Sequence, residues 1–377
     1  MSSAPTLTVL IPTRDRSQTL GSTIRSCLAQ DYPHLQIVVS DNCSTDGTAD
    51  LVAAINDSRL RYVRTPRRLS MTGNFEFSLL QVESGYLMHL GDDDGLVLGA
   101  ASQVARIIQE TGTEAVNSAH AVYHWPTSLY TGYRNRLILP IGRGYHRVRG
   151  LDAAADVIAF RRGYPYLPST YSGFVAKAVI DRVAAGASYY SSITPDSYAG
   201  FANAGAMDSF VFSERPFAIA GLSGRSNGGS NVNGGDPGEA QRYLAENDLP
   251  THGGIVYCPK SIPLVVAEAF LQARDRVSRL KDIPFDVRHL CRVALRDVAA
   301  ENYPAVRDAV VETVDLHDLR LKVPQSPTLM QKIDREADRL RVRIRRLREG
   351  YQRIDVDRHG VEDVAGAGRL AYDLLSG

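Results

Sequence analysis

Leu87-Met-His-Leu-Gly-Asp-Asp-Asp-Gly95 is the stretch on which the reading of the chain turns. Tyr86 to Leu90 is an apolar run of the kind that forms a buried strand. It ends at Gly91, and three adjacent carboxylates follow: Asp92, Asp93 and Asp94. Acids side by side repel one another, so a fold that keeps them at a strand end needs a counter-charge. A hard divalent cation, Mg²⁺ or Mn²⁺, takes oxygen ligands and completes its shell with phosphate oxygens and water. In an open α/β sheet, ligands bind beyond the carboxyl ends of the strands. The position therefore suits a metal–diphosphate site. The competing reading is a solvated acidic turn that caps a helix starting near Leu96.

The residues before this stretch set its context. Leu7 to Ile11 is a continuous β-rich apolar run, broken by Pro12-Thr13-Arg14-Asp15. Leu20, Ile24, Cys27 and Leu28 then recur at helical spacing. Leu35 to Ser40 is a second strand, running into the polar loop Asp41-Asn42-Cys43-Ser44-Thr45-Asp46-Gly47-Thr48. Leu51, Val52 and Ile55 mark a helix, Leu60 to Val63 a third strand, and Ser70 to Asn74 opens a third helix. Strand and helix alternate four times, as in a doubly wound parallel sheet. There is no Gly-x-Gly-x-x-Gly after the first strand and no Walker A sequence, which argues against dinucleotide dehydrogenases and P-loop NTPases.

The series IPTRDR, VVSDNCSTDGT, LSMTGN and GDDD resembles the nucleotide-binding half of the family 2 glycosyltransferases, which have the GT-A fold. The resemblance is firm over residues 6–110 and looser to about 225. It implies a GT-A type α/β fold: a doubly wound, mostly parallel sheet flanked by helices; beyond residue 238 the residue pattern itself, helical and punctuated by prolines, reads as an α-helical C-terminal appendage. The resemblance implies that Pro12, Thr13 and Arg14 line the base and that Asp41 accepts its ring N–H, a task suited to an acceptor-only carboxylate. Asn74 falls near the base or sugar. Asp46-Gly47-Thr48 reads as an N-cap and turn. Arg64, Arg67 and Arg68 read either as phosphate ligands or as a solvated basic loop.

The family's acidic motif is Asp-x-Asp or a close variant (the DxD motif). Asp94 is expected as the direct metal ligand, with Asp92 also a metal candidate. Asp92 or Asp93 would hold the ribose hydroxyls, the register being open by one residue. The cofactor so implied is Mn²⁺ or Mg²⁺, which neutralises charge on the leaving diphosphate.

Inverting members of the family carry a catalytic Asp or Glu about 100 residues after the metal motif, at a helix start. Asp196, in Thr194-Pro195-Asp196, fits that context. As general base it would take the proton of the acceptor hydroxyl. The same residues also make a good helix start on their own. Asp208 and Glu214 are lesser candidates. Trp125 reads as core or as a sugar platform, with core favoured. His120 and His124 lack zinc spacing. Residues 130–149, rich in Tyr and Arg, read as a hairpin or flap suited to an anionic ligand. Arg225 or Ser226 could contact phosphate.

The domain expectation is a glycosyltransferase domain over 1–225, divided into a nucleotide-sugar half (1–110) and an acceptor half (111–225). A flexible Gly/Asn-rich loop follows (226–238), then a helical region (239–377). Within the last, residues 331–354 carry Ile333, Ala337, Leu340, Ile344, Leu347 and Tyr351 as a heptad-like seam beside six arginines between Arg339 and Arg348. That helix reads as packed on its own domain, as a homo-oligomer contact, or as a basic amphipathic helix on an anionic membrane.

Composition narrows the class further. The 377 residues carry 43 Lys and Arg against 42 Asp and Glu, and this near balance excludes a wholesale nucleic-acid binder. Four scattered cysteines, no signal-like start and no run long enough to span a bilayer point to a cytoplasmic protein, with peripheral contact at the inner membrane face as an option. The functional expectation is a metal-dependent inverting glycosyltransferase. It would take a nucleoside-diphosphate sugar, a UDP-sugar first, and a hydroxyl acceptor on a glycan, lipid-linked or small molecule. The alternatives are a nucleotidyltransferase of GT-A-like fold and a non-catalytic nucleotide- or glycan-binding relative.

Overall fold

The computed structural model describes residues 4–171, 173–225, 241, 243–348 and 350–377, with backbone only for 345–348. The expected loop 226–238, with Ser226, lies outside the described residues.

Four apolar runs build the parallel half: β1 (Leu7–Thr13), β2 (Leu35–Asp41), β3 (Leu60–Arg64) and β4 (Tyr86–His89). Between them run α1 (Ser17–Leu28), α2 (Thr48–Ala53) and α3 (Met71–Leu79). Ser70 caps α3, its Oγ accepting the Gly73 N–H at 3.0 Å, which satisfies one of the orphan donors of the first turn. The strands stand in the order β3-β2-β1-β4, all parallel. Their buried side chains pack on Leu20, Ile24 and Cys27 of α1.

Beyond β4 the chain departs from simple alternation. The residues after the acidic triplet form the two-residue strand β5 (Gly95–Leu96), and the helix expected near Leu96 starts later, as α4 (Ala100–Thr111). The reason is pairing: Leu96 and Gly95 bond to Ala218 and Ile219 in another strand. The single strand expected over Ala115 to Tyr123 is two, β6 (Ala115–Ser118) and β7 (Ala121–His124), which join different sheets. The expected hairpin over 130–149 is likewise divided. β8 (Arg136–Pro140) pairs with β7, whereas β9 (Tyr145–Arg149) pairs with β11 (Ser209–Ser213). Between these lie α5 (Gly150–Ile158), β10 (Phe174–Ala176), α6 (Lys177–Ala184) and α7 (Pro195–Ala206).

The larger sheet continues as β4-β10-β6-β11-β9, with β10 antiparallel to both neighbours. The second sheet is β13-β8-β7-β12-β5, where β12 is Ala218–Leu222 and β13 is Tyr351–Asp355.

The C-terminal helices are α8 (Ile262–Arg276), α9 (Val287–Asp297), α10 (Tyr303–Leu316), α11 (Leu329–Arg348) and α12 (Val364–Ser376). They are not a separate appendage. Phe270 of α8 packs on Phe201 of α7, and Val364 and Ala371 of α12 join the core behind β7. The basic helix stops short of its expected end at 354. Gly350 takes a left-handed backbone (φ +72°), which turns the chain into β13, and Tyr351 to Asp355 pair with Pro140 to Arg136. Among the described residues no helix is long and apolar enough to cross a membrane.

Candidate active site

The acidic triplet leaves the end of β4 and forms the floor of a cleft of about 830 Å³. Its three carboxylates are held in three different ways. Asp92 Oδ2 accepts the Thr13 hydroxyl at 2.7 Å, and Arg16 Nε lies 4.0 Å from Oδ1. Asp93 Oδ2 accepts the Ser223 hydroxyl at 2.6 Å, and its carbonyl accepts the Trp125 indole N–H at 2.9 Å. Asp94 is tied off most completely. Oδ1 accepts the Gly221 N–H at 2.7 Å, and Oδ2 accepts the Gly91 N–H at 3.0 Å and the Tyr171 hydroxyl at 2.5 Å. It is 2 % exposed. The triplet is therefore not a solvated turn.

This arrangement depends on close approach of β12. A Cβ on Gly221 would stand 1.8 Å from the Asp93 carbonyl oxygen. The Trp125 ring is buried beside Tyr123, so it is core, as favoured, and it also fixes the triplet backbone.

Burial and mutual repulsion set the electrostatics of the triplet. Burial raises the pKa of Asp92 against the opposing pull of Arg16. Burial, and then the charge of Asp93, raises that of Asp94. The donors are hard oxygens with an excess of negative charge, which fits Mg²⁺ or Mn²⁺. Among the described residues no three His, Cys, Asp or Glu side chains are arranged to cage an ion alone. A cation there needs further oxygens from a ligand. Asp94, expected from the sequence as the direct ligand, also lines the cleft, and its Oδ1, which accepts one bond, keeps a lone pair for a cation. Asp92 and Asp93 line the cleft beside it, each accepting one hydroxyl.

Other expected residues divide. Pro12, Thr13, Arg14, Arg68 and Asn74 line the cleft. Asn74 is held by Ser40, donating to its carbonyl at 3.1 Å and accepting its hydroxyl at 2.7 Å. Asp41 differs: it is fully buried, and its carboxylate accepts the Ser44 N–H at 2.8 Å and the Tyr62 hydroxyl at 2.5 Å, with Arg64 at 3.5 Å. Its partners in the structure are protein groups, and neither it nor Arg64, which also donates to the Ser44 carbonyl at 3.0 Å, is among the residues lining the cleft. Asp46 takes up the expected turn role, accepting the Thr48 N–H at 3.0 Å. Arg225 lines the cleft, and its carbonyl accepts from Arg16.

Asp196 sits in the first turn of α7, after Pro195. It lines the cleft and also a second cavity of about 1310 Å³. The Tyr164 hydroxyl bonds to its carboxylate, and burial raises its pKa. Tyr164 and Tyr171 also line both spaces, so the two adjoin at this point. The lesser candidates fall away from it: Asp208 is exposed on Arg279, and Glu214 lines the second cavity beside Gly142 and Gly144. His120 lines the second cavity and His124 bonds Ser128; burial lowers both to about 4, so both are neutral near pH 7.

Sequence reasoning missed Tyr164, Tyr171, Ser223 and Glu246. The last pairs through its two oxygens with Arg14 at 2.6 Å and Arg68 at 2.8 Å, inside the cleft. Each lies more than 70 residues from its partner or in an unpatterned segment, so no local periodicity announces it.

The N-terminal part of the chain resembles known proteins in sequence. Residues 8–164 match the model of Glycosyl transferase family 2. The GalNAc(5)-diNAcBac-PP-undecaprenol beta-1,3-glucosyltransferase of Campylobacter jejuni is 33 % identical over 109 residues, 28 % of this chain and 35 % of that protein. The UDP-Glc:alpha-D-GlcNAc-diphosphoundecaprenol beta-1,3-glucosyltransferase WfaP of Escherichia coli is 25 % identical over 118 residues, 31 % of this chain and 46 % of that protein. The matches thus span less than half of these relatives' length. The structure of S. aureus TarS 1-349 in complex with UDP aligns with a TM-score of 0.47 and 13 % identity, over 82 % of this chain and 88 % of that chain. The likeness to glycosyl transferase family 2 lies in residues 8–164, under half of the chain.

Proposed function

We propose that this chain moves a sugar from a nucleoside-diphosphate sugar, a UDP-sugar first, to a hydroxyl of a glycan or lipid-linked acceptor, in one displacement that inverts the anomeric carbon. The observation that carries this reading is the position of Asp196, on the wall shared by the acid-floored cleft and the larger cavity. A base there meets an acceptor hydroxyl from one side and a donor from the other. The two glucosyltransferases above are named for undecaprenol-linked substrates, and WfaP for UDP-Glc. We extend both classes to this chain.

In the mechanism so read, Pro12, Thr13 and Asn74 line the base and sugar end of the donor. Asp41, outside that lining, holds the loop after β2. Arg14 and Arg68 are the guanidinium groups on hand for the diphosphate, whose oxygens match their forks. Asp92 and Asp93 would hold a divalent cation, which on binding with the donor supplies charge neutralisation for the leaving group. Tyr164 orients Asp196, whose carboxylate takes the proton from the acceptor oxygen. That oxygen forms its bond to the anomeric carbon as the bond to the diphosphate breaks, and the electron pair leaves with the diphosphate.

The test is turnover of a panel of UDP-sugars with a polyprenyl-diphosphate-linked glycan, the product anomer read by NMR. The reading predicts inversion, and loss of turnover in Asp196→Asn with UDP binding kept. A retained anomer, or full turnover by Asp196→Asn, overturns it.

A further inference from the structure

The helix α11 carries an apolar stripe that nothing in the described chain covers. Leu329 is 74 % exposed, Met330 65 %, Leu340 57 %, Ile333 52 % and Ile344 41 %. At about 100° per residue, these five and Ala337 fall within an arc of about 100° on one side of the helix. The opposite side faces the body. There Arg335 donates to the Val298 carbonyl at 2.8 Å and Asp338 pairs with Arg296 at 2.8 Å. Arg339 and Val342 line the larger cavity next to Asp196. The turn at Gly350 and the pairing of β13 with β8 anchor the end of the helix, so the direction of the stripe is fixed.

Charge says what covers the stripe. Residues 329–348 hold eight Lys and Arg against three Asp and Glu. By the same rotation, Glu336, Arg343 and Lys332 border the apolar arc on one side and Arg341 and Asp334 on the other, cations outnumbering acids three to two. An apolar face on a helix of strong net positive charge is the pattern of a helix lying in the plane of an anionic bilayer surface, with its apolar side chains in the acyl boundary and its cations at the phosphates. A helix pairing with a second copy of itself would bring two segments of strong net positive charge together, which like charges oppose.

We infer that the outward face of α11 is a docking surface for an anionic lipid membrane, and that it holds the larger cavity close to the headgroup plane. The inference does not rest on the transferase reading, because lipid binding is read without donor or acceptor.

The experiment is co-sedimentation of the full chain with vesicles of phosphatidylcholine alone and of equal parts phosphatidylcholine and phosphatidylglycerol. The expected result is binding to the anionic vesicles at least about tenfold stronger than to the neutral ones, weakened by salt. Ile333→Asp with Leu340→Asp, and separately Arg341→Glu with Arg343→Glu, should each lower that binding about tenfold or more. Circular dichroism melting and UDP titration report whether each variant is folded. Equal binding to both vesicles, no binding to either, or binding unchanged in folded variants overturns the proposal. So does a dimer by analytical ultracentrifugation that Leu340→Asp dissociates, which would give the stripe to a second copy.

Discussion

Arg14 and Glu246 form an ion pair at 2.6 Å across the cleft, although they lie 232 residues apart in sequence. The other oxygen of Glu246 holds Arg68 at 2.8 Å. A carboxylate between two guanidinium groups occupies them as a phosphate would, so Glu246 competes with the diphosphate. Glu246→Gln should strengthen UDP binding about fivefold, the equivalent of about 1 kcal/mol for a partly buried pair. Isothermal titration checks this; weaker binding would make Glu246 a support for the arginines instead.

Asp94 and Asp92 should respond differently to loss of charge. Asp94 accepts three hydrogen bonds from three separate segments. Asp94→Ala leaves those donors unpaired in a buried place and should cost about 3 kcal/mol or more of stability. Asp92→Asn keeps the shape of a cleft-lining group and should change stability by less than about 1 kcal/mol, while abolishing metal-dependent nucleotide binding. Urea unfolding of each variant, paired with UDP titration, separates the two roles. Tyr171→Phe removes one of the donors to Asp94 and should fall between them, at about 1–2 kcal/mol.

Asp196→Asn should lower kcat about 10²- to 10⁴-fold and leave UDP affinity unchanged. Only the ionised carboxylate takes a proton, so activity rises with pH through the Asp196 pKa. Burial puts that pKa above the ordinary 3.8, and the acid limb of the kcat profile should lie above that value. Tyr164→Phe removes a bond to the ionised form and should move the limb further up.

Gly221→Ala should disrupt the site, because its Cβ would meet the Asp93 carbonyl at 1.8 Å. Loss of soluble protein or a melting temperature lower by several degrees is the expected outcome. Gly47→Ala is the matched control, since nothing lies within 4 Å of a Cβ there. Equal melting of the two variants would show that β12 can move off the triplet.

The parallel half of the fold was legible because local signals agree there. Leu7 to Ile11 are buried throughout, as are Leu35 and Ile37 to Val39, and each run ends in a polar turn. The second sheet was hidden, because β5 has two residues and β13 arrives from more than 200 residues further along. The seam spacing continued through Tyr351, but the backbone at Gly350 overrides it. At the site, the triplet and Asp196 could be read from the order of residue types. The partners that decide what each carboxylate does, such as Tyr171, Ser223 and Gly221, come from distant strands. Their roles follow from tertiary packing and leave no periodic trace.

The most direct test of the account is calorimetric titration of the protein with UDP, GDP and dTDP, each with and without Mn²⁺, repeated on Asp92→Asn and Asp196→Asn. The account predicts that UDP binds with metal, that Asp92→Asn loses this binding, and that Asp196→Asn keeps it. Absence of binding by every nucleotide under every condition, or binding untouched by Asp92→Asn, would contradict the reading of the acidic triplet as a donor site.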